Sequence, residues 1–309
     1  MSRRGRLGIA ALVCAVVGLL LVAPFPGRSP SRAATRPAAG GSVASESTTS
    51  HWTSGRASGP AAAPGSTATP RPTPNAIAQT CPTPATKALH AQPAHGRETA
   101  HGPKTVALTF DDGPSPTATP EVLAILKKNG IAATFFVVGK LVVKHPALVR
   151  AIVAEGSLVG NHTYHHYIPG TKGAFDRLPG ALIASEVDTT TTAIEAAGAP
   201  KPCFFRAPGG YDRTKRMVAL VRARGLTIVN WTYDPRDWAA PKTLSASYQA
   251  LILKNATGTA AHPIVLDHDG SDANFRGNTV AVLQQIIDYY RSNGYTFTDP
   301  VGRPLVANR

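Results

Sequence analysis

The stretch ALTFDDGPSP, residues 107–116, joins an apolar run to two adjacent carboxylates and a Gly-Pro break. The apolar run predicts a buried strand that ends at Asp111 and Asp112. Two like charges this close repel each other, and burying either one without a partner is costly. We therefore expect a positive partner at this strand end: an arginine, another cation or a metal ion.

Beyond this strand, predicted strands and helices alternate over about 200 residues, which is typical of βαβ units around a parallel sheet. The strands show no polar alternation, so both sheet faces are expected to be buried. The first helix is predicted to start with Thr119 as its N-cap and to stop before Gly130. The predicted strands are 105–110, 132–139, 157–162, 203–210, 226–231, 263–268 and 295–298, and the predicted helices are 119–129, 145–155, 181–197, 214–224, 244–255 and 277–293. This order fits a barrel or an open doubly wound sheet.

The N-terminus has the pattern of an export signal, with three arginines in the first six residues and then an apolar run over 9–23. The run is shorter than the roughly 20 residues of a usual membrane-spanning helix, so a cleaved signal peptide is favoured over an uncleaved anchor. Residues 1–33 are interpreted as this signal peptide or anchor, and 9–25 as the possible membrane tether. The protein is therefore expected to be exported and either secreted or tethered to the cell surface.

Residues 34–100 are predicted to form a disordered linker, followed by a folded domain over 101–309. The linker is dominated by Ala, Pro, Ser, Thr and Gly, so it cannot bury enough apolar surface to offset chain entropy. Cys81 and Cys203 are an even pair in an exported protein and predict a disulfide, with two free thiols as the alternative. The disulfide would pack the end of the linker on the domain.

The net charge of +14 is spread unevenly, because residues 1–102 hold 10 Lys/Arg and only 2 Asp/Glu. The rest of the chain is mildly basic and has no cluster of basic and aromatic residues typical of nucleic-acid binding. We therefore expect no nucleic-acid partner, and no obligate protein partner is evident. A mildly basic surface suits an acidic polymer such as a bacterial wall.

Polar residues recur just after the predicted strands, at the end of a parallel sheet where active sites are built. In HTYHH, His162 and His166 are four residues apart, which on a helical turn places both imidazoles on one face. With one carboxylate they would form a His₂-carboxylate set, typical of catalytic zinc; a simple surface pair is the alternative. The residues at strand ends are Asp111, Asp112, His162, His166, Arg206, Asp234, Asp237, His268 and Asp269.

Five segments, TFDDGP, HTYHH, RAPGG, DPRDW and LDH, occur in this order between residues 109 and 268. They resemble the five motifs of the NodB-homology polysaccharide deacetylases, carbohydrate esterase family four. The resemblance spans roughly residues 104–300 and implies a distorted (β/α) barrel, here of about seven parallel strands.

The resemblance also implies roles for individual residues. Asp111 would be the general base, held by Arg206, and His268 the general acid, hydrogen-bonded to Asp237. One divalent ion would be bound, with zinc favoured by the ligand set and cobalt or nickel as alternatives. The ligands of that ion would be Asp112, His162 and His166.

The same resemblance places Trp238 and Leu266 around the acetyl group and the backbone N–H of Gly209 at the oxyanion. Two positions depart from the family pattern. Gly209 stands where an aromatic residue is frequent, so an aromatic sugar platform requires Tyr211. Asp267, where relatives carry an apolar residue, points away from His268, and its charge needs a partner on the outer face.

The sequence therefore predicts metal-dependent hydrolysis of N-acetyl groups from N-acetylglucosamine-containing polysaccharide, peptidoglycan or chitin-like, by an aspartate base, a histidine acid and a metal-bound water. An acetylxylan esterase with the same site is the nearest alternative. A non-catalytic wall-binding module is the second, although a binding module has no use for the full set of acid, base and ligands.

Overall fold

The computed structural model describes residues 81–83, 89, 104–168, 174–270, 275–305 and 307–308. Its strands are β1 (Thr105–Asp111), β2 (Thr134–Val137), β3 (Leu158–Asn161), β4 (Phe204–Phe205), β5 (Thr227–Ile228), β6 (Ile264–His268) and β7 (Thr296–Phe297). Its helices are α1 (Ala118–Lys128), α2 (Gly139–Lys144), α3 (Pro146–Ala154), α4 (Gly180–Ala196), α5 (Lys215–Arg222), α6 (Ala246–Ala256) and α7 (Gly277–Ser292). Strands and helices alternate as the sequence predicts.

The strands form one sheet in the order β5-β4-β3-β2-β1-β6, and β7 also pairs with β1. All these pairings are parallel, so the carboxyl ends of the strands all lie at the same end of the sheet. The sheet curls into a half-barrel, which confirms the predicted distorted barrel of seven parallel strands. Asp111 of β1 is the register partner of His268 of β6, so two predicted catalytic residues start from adjacent backbone positions.

The core explains why the strands hold their end residues firmly. Apolar side chains on both sides of the sheet are buried, and Phe110 stacks on Phe135 with the ring centroids 5.1 Å apart. Helix α7 contributes Val282 and Ile286 to this packing. Close packing on both faces leaves the strand ends little freedom to shift.

Two details of the helices differ from the prediction. Helix α1 starts at Ala118, and Thr119 is not its N-cap. The hydroxyl of Thr119 instead accepts the Ser115 N–H and donates to the buried carboxylate of Asp269. Helix α2 was not predicted, because it is only six residues long and begins with a glycine, a poor helix former.

The disulfide between Cys81 and Cys203 is present, which confirms that prediction. Leu89 also joins the domain: its N–H donates to the Ile228 carbonyl at 2.9 Å, and its carbonyl accepts the Asn230 N–H at 2.6 Å. This second link lies at β5, the outer strand of the sheet. The predicted signal segment and most of the predicted linker lie outside the described residues. Among those described, no helix is long and apolar enough to cross a membrane.

Candidate active site

The side chain of Asp111 lies at the end of β1 and is paired with a buried arginine. Arg206 Nη1 donates to Asp111 Oδ1 at 2.7 Å, and both side chains are almost fully buried. Three more donors of this guanidinium are used, on the hydroxyl of Thr109 and the carbonyls of Val229 and Asn230. Arg206 is therefore fixed by β1 and by the segment that follows β5, and it can hold Asp111 in one orientation.

Asp112 faces the two histidines of HTYHH with one carboxylate oxygen. Its Oδ1 lies 3.5 Å from His162 Nε2 and 2.9 Å from His166 Nε2, and these three atoms could hold one metal ion. Burial raises the pKa of Asp112, but its contacts with the two imidazoles outweigh burial and hold that pKa well below its usual range. A carboxylate is thus the stable form of this residue.

The tautomer of His162 follows from its other nitrogen. His162 Nδ1 lies 2.7 Å from the carbonyl oxygen of Arg206, which can only accept, so Nδ1 carries the hydrogen. In the neutral ring Nε2 then presents a lone pair toward Asp112 Oδ1, which is buried and has no hydrogen-bond partner among the described residues. Two acceptors that face each other in this way repel, and a metal ion bound by both would remove that repulsion.

The HTYHH segment is a loop and not the helical turn that the spacing predicted. Thr163 and His166 both have positive φ, at 64° and 59°, which turns the chain back on itself. Glu186 of α4 holds this conformation: its Oε2 accepts the backbone N–H groups of Tyr164 and His165. The loop still brings both predicted ligands to one side, through a different backbone path.

His268 lies at the end of β6 against a buried carboxylate. Its Nδ1 is 2.6 Å from Asp237 Oδ1, and its backbone N–H donates to Asp237 Oδ2 at 2.9 Å. Thr279 donates to the same Oδ2, so Asp237 is held from two elements. Burial lowers the pKa of His268, but the charge and hydrogen bond of Asp237 outweigh it and raise the pKa to about 9. The imidazole is protonated at neutral pH.

A cleft of about 620 Å³ opens above these groups. Gly209 has φ of 62°, and a side chain there would run into the ring of Tyr211, which fills the space in front of it. Trp238 is 52% exposed, and it lines the cleft together with Leu266. The cleft is lined by the predicted residues Asp111, Asp112, His162, His166, Gly209, Tyr211, Trp238, Leu266 and His268, and Arg206 and Asp237 support it from behind.

Other residues of the site were not predicted from sequence. Arg276 and Lys140 line the cleft, as does Trp231, whose ring lies beside the Arg206 guanidinium. Nothing in the sequence around Arg276 or Lys140 distinguishes them from ordinary surface cations. Glu186 had a usable signal, because it lies three residues after Ile183 on a helix and therefore on its apolar face.

The chain that carries this site is similar to known deacetylases. Residues 98–229 match the family profile described as polysaccharide deacetylase. A chitooligosaccharide deacetylase of Bradyrhizobium sp. (strain ANU 289) is 38% identical over 207 residues, which cover 63% of this chain and 88% of that protein. A peptidoglycan-N-acetylglucosamine deacetylase of Bacillus cereus is 35% identical, covering 65% and 88%. A family 4 carbohydrate esterase from Streptomyces lividans, solved with acetate, matches with a TM-score of 0.55 and 32% identity, covering 66% and 98%.

Proposed function

The chain belongs to the NodB-homology polysaccharide deacetylases of carbohydrate esterase family 4, and from this premise we propose that it hydrolyses N-acetyl groups of an N-acetylglucosamine-containing polysaccharide. The reaction would depend on one divalent ion held by Asp112, His162 and His166. Zinc is the ion that this set of two imidazoles and one carboxylate favours, with cobalt and nickel as alternatives.

The observation that carries the proposal is the arrangement around Asp112 Oδ1. This oxygen is buried without a hydrogen-bond partner among the described residues and faces two imidazole nitrogens, of which His162 Nε2 presents a lone pair in the neutral ring. The donor set fits a divalent cation and leaves coordination positions open toward the cleft.

The proton transfers can be assigned to this chain's own residues. A divalent ion held by Asp112, His162 and His166 would supply a lowered pKa for a water molecule and polarisation of the acetyl carbonyl. Asp111 would accept the proton of the attacking water, since Arg206 leaves its Oδ2 directed at the ligand cluster, 3.6 Å from His162 Nε2. His268 would give its proton to the departing nitrogen, and the backbone N–H of Gly209 would donate to the oxyanion.

The state of His268 supports an amide rather than an ester as the substrate. An amine must be protonated to leave, whereas an alkoxide on a sugar leaves more easily. A histidine with a pKa of about 9 keeps its proton at neutral pH and is available to an amine leaving group. Cleavage of acetylxylan is the competing outcome in the assay below.

The rim of the cleft supports peptidoglycan over a neutral chitin-like polymer. Lys140 lines the cleft, and the guanidinium groups of Arg213 and Arg236 lie 5.7 and 5.5 Å from the ring centroids of Tyr211 and Trp238. Such cations would attract the carboxylates that peptidoglycan carries on its peptide stems. Chitin offers no such charges.

We also propose that the protein is exported. The basic and apolar N-terminal segments support export, and so does the disulfide between Cys81 and Cys203, because disulfides persist in oxidising compartments.

The test is acetate release by the purified full-length protein on peptidoglycan, chitin oligomers and acetylxylan, with and without added zinc. We expect release from the N-acetylated polymers, loss of release after chelation, and recovery on adding zinc. His162→Ala should bind no metal tightly and stay inactive after zinc is added. Full activity of His162→Ala with one metal per chain would contradict the site. Acetate release from acetylxylan alone would show that the protein is an esterase and not an N-deacetylase.

A further inference from the structure

Arg276 is a buried arginine at the start of α7 that contacts the proposed metal ligand Asp112 through the carboxylate oxygen that the histidines do not contact. It is 5% exposed, and its Nη2 lies 3.3 Å from Asp112 Oδ2. Its Nε donates to the carbonyl oxygen of Gly270, in the segment that follows β6. The two branches of one planar guanidinium thus connect α7, the segment after β6 and the end of β1.

The two oxygens of Asp112 therefore have different partners. Oδ1 faces His162 and His166, while Oδ2 faces Arg276. The backbone of Asp112 has φ of 72°, a conformation in which an aspartate needs support from its surroundings. Gly270 supplies part of that support, since its Cα packs so closely on the Asp112 carbonyl that any side chain at 270 would collide with it.

We propose that Arg276 is a positioning residue for the metal ligand Asp112, which it restricts to binding the ion through Oδ1 alone. A carboxylate beside a metal can rotate or bind through both oxygens unless one oxygen is held. The rigid fork of an arginine can hold Oδ2 and Gly270 at once, which a single ammonium cannot do.

This assignment rests on the proposed metal site and extends it in one respect. Each of the adjacent aspartates then has its own buried arginine, Arg206 for Asp111 and Arg276 for Asp112. The two arginines come from separate parts of the fold: Arg206 directly follows β4, and Arg276 directly precedes α7. The base and the ligand are thereby kept from exchanging places around the ion.

The experiment measures zinc affinity of the full-length apo protein by competition with a chromogenic chelator, and the absorption spectrum of the cobalt form. Arg276→Gln should weaken zinc binding about 10–100-fold, the usual effect of losing a ligand's hydrogen-bond partner. Arg276→Lys should recover part of that loss. The cobalt spectrum of Arg276→Gln should change, because the carboxylate is free to alter its mode of binding. Arg291→Gln is the matched control, an exposed arginine of the same helix whose side chain hydrogen-bonds to Asn129.

Three results would overturn the assignment. Wild-type zinc affinity in Arg276→Gln with a raised KM would make Arg276 a substrate-binding residue. Equal losses in the Gln and Lys variants, matched by equal falls in apo-protein Tm, would make its role structural. If Arg276→Gln does not fold, wild-type zinc affinity and cobalt spectrum in Arg276→Lys would contradict the need for the fork. Failure of the proposed function would look different, because the wild-type protein would then bind no zinc or release no acetate.

Discussion

Strands β1 and β6 are neighbours in the sheet, and both have carboxylates near their carboxyl ends, but these carboxylates differ in how their charge is compensated. At the end of β1, Asp111 is paired with Arg206, and Asp112 lies between two histidines and Arg276. On β6, Asp267 is fully buried, and neither of its oxygens has a hydrogen-bond partner among the described residues. We expected the charge of Asp267 to have a partner on the outer face of the sheet. The described residues supply no hydrogen-bond partner there.

The difference distinguishes the carboxylates of Asp111 and Asp112, which have roles in the proposed site, from that of Asp267, which has none. A buried carboxylate with partners can be kept ionised and oriented for chemistry, whereas one without partners is disfavoured in its ionised form. Burial raises the pKa of Asp267 well above its usual value, and the charge of Asp237 raises it further. The four predictions below test this contrast, beginning with the strand whose charges are compensated.

The largest effect is expected for Asp111→Asn at the end of β1. The substitution removes a base but no metal ligand, so we expect zinc content near one per chain and a fall in kcat of about 10²–10⁴-fold. Metal content and acetate release, measured on the same sample, distinguish the loss of a base from the loss of a metal ligand. Parallel loss of both would show that Asp111, not Asp112, is the ligand.

His268→Ala removes the proposed acid at the end of β6. We expect retention of the metal, a loss of rate similar to or somewhat smaller than that of Asp111→Asn, and disappearance of the alkaline limb of the pH profile. The profile of kcat/KM on an N-acetylglucosamine oligomer is the measurement. An alkaline limb that persists unchanged would assign the acid to another group.

Asp237→Asn should shift a pH limb more than it reduces the maximal rate. His268 acts as an acid only when protonated, so activity should fall as the pH rises through its pKa of about 9. Removing the Asp237 charge lowers that pKa, and the alkaline limb should move to lower pH. A limb at the wild-type position in Asp237→Asn would show that Asp237 does not set the protonation of His268.

The smallest effect, and the only gain, is expected for Asp267→Leu. The folded-state pKa of Asp267 is raised, so its contribution makes the fold less stable as the pH rises above the pKa of the unfolded chain. Removing an unpartnered buried carboxyl should stabilise the protein at pH 7 by about 1–3 kcal/mol, with little change in kcat. Urea unfolding at pH 5 and pH 8 measures this, with Asp267→Asn as the polar control. A destabilised Asp267→Leu would mean that the carboxyl has a role in the fold.

The strands and most of the site could be predicted because their signals are local. Most of the apolar runs end in a polar residue, and parallel pairing then brings those ends together, as it does for Asp111 and His268. Arg276 could not be found in this way, since it lies 164 residues from Asp112 and only the packing of α7 places it there. The conformation of HTYHH could not be predicted either, because it depends on the buried carboxylate of Glu186, which lies 21 and 22 residues along the chain from the two backbone N–H groups that it accepts.

The bond between Cys81 and Cys203 would have a mechanical consequence in an enzyme tethered through its N-terminal segment, as the sequence leads us to expect. Tension that arrives at Cys81 has a covalent path of a single bond into Cys203, next to β4, whereas the path to β1 along the main chain runs through more than twenty residues. The disulfide is the shorter and stiffer of these two connections, so it bears the tension before the main chain between Cys81 and β1 is stretched. Force would therefore enter at one flank of the sheet and spare the β1–β6 pairing that sets the base opposite the acid.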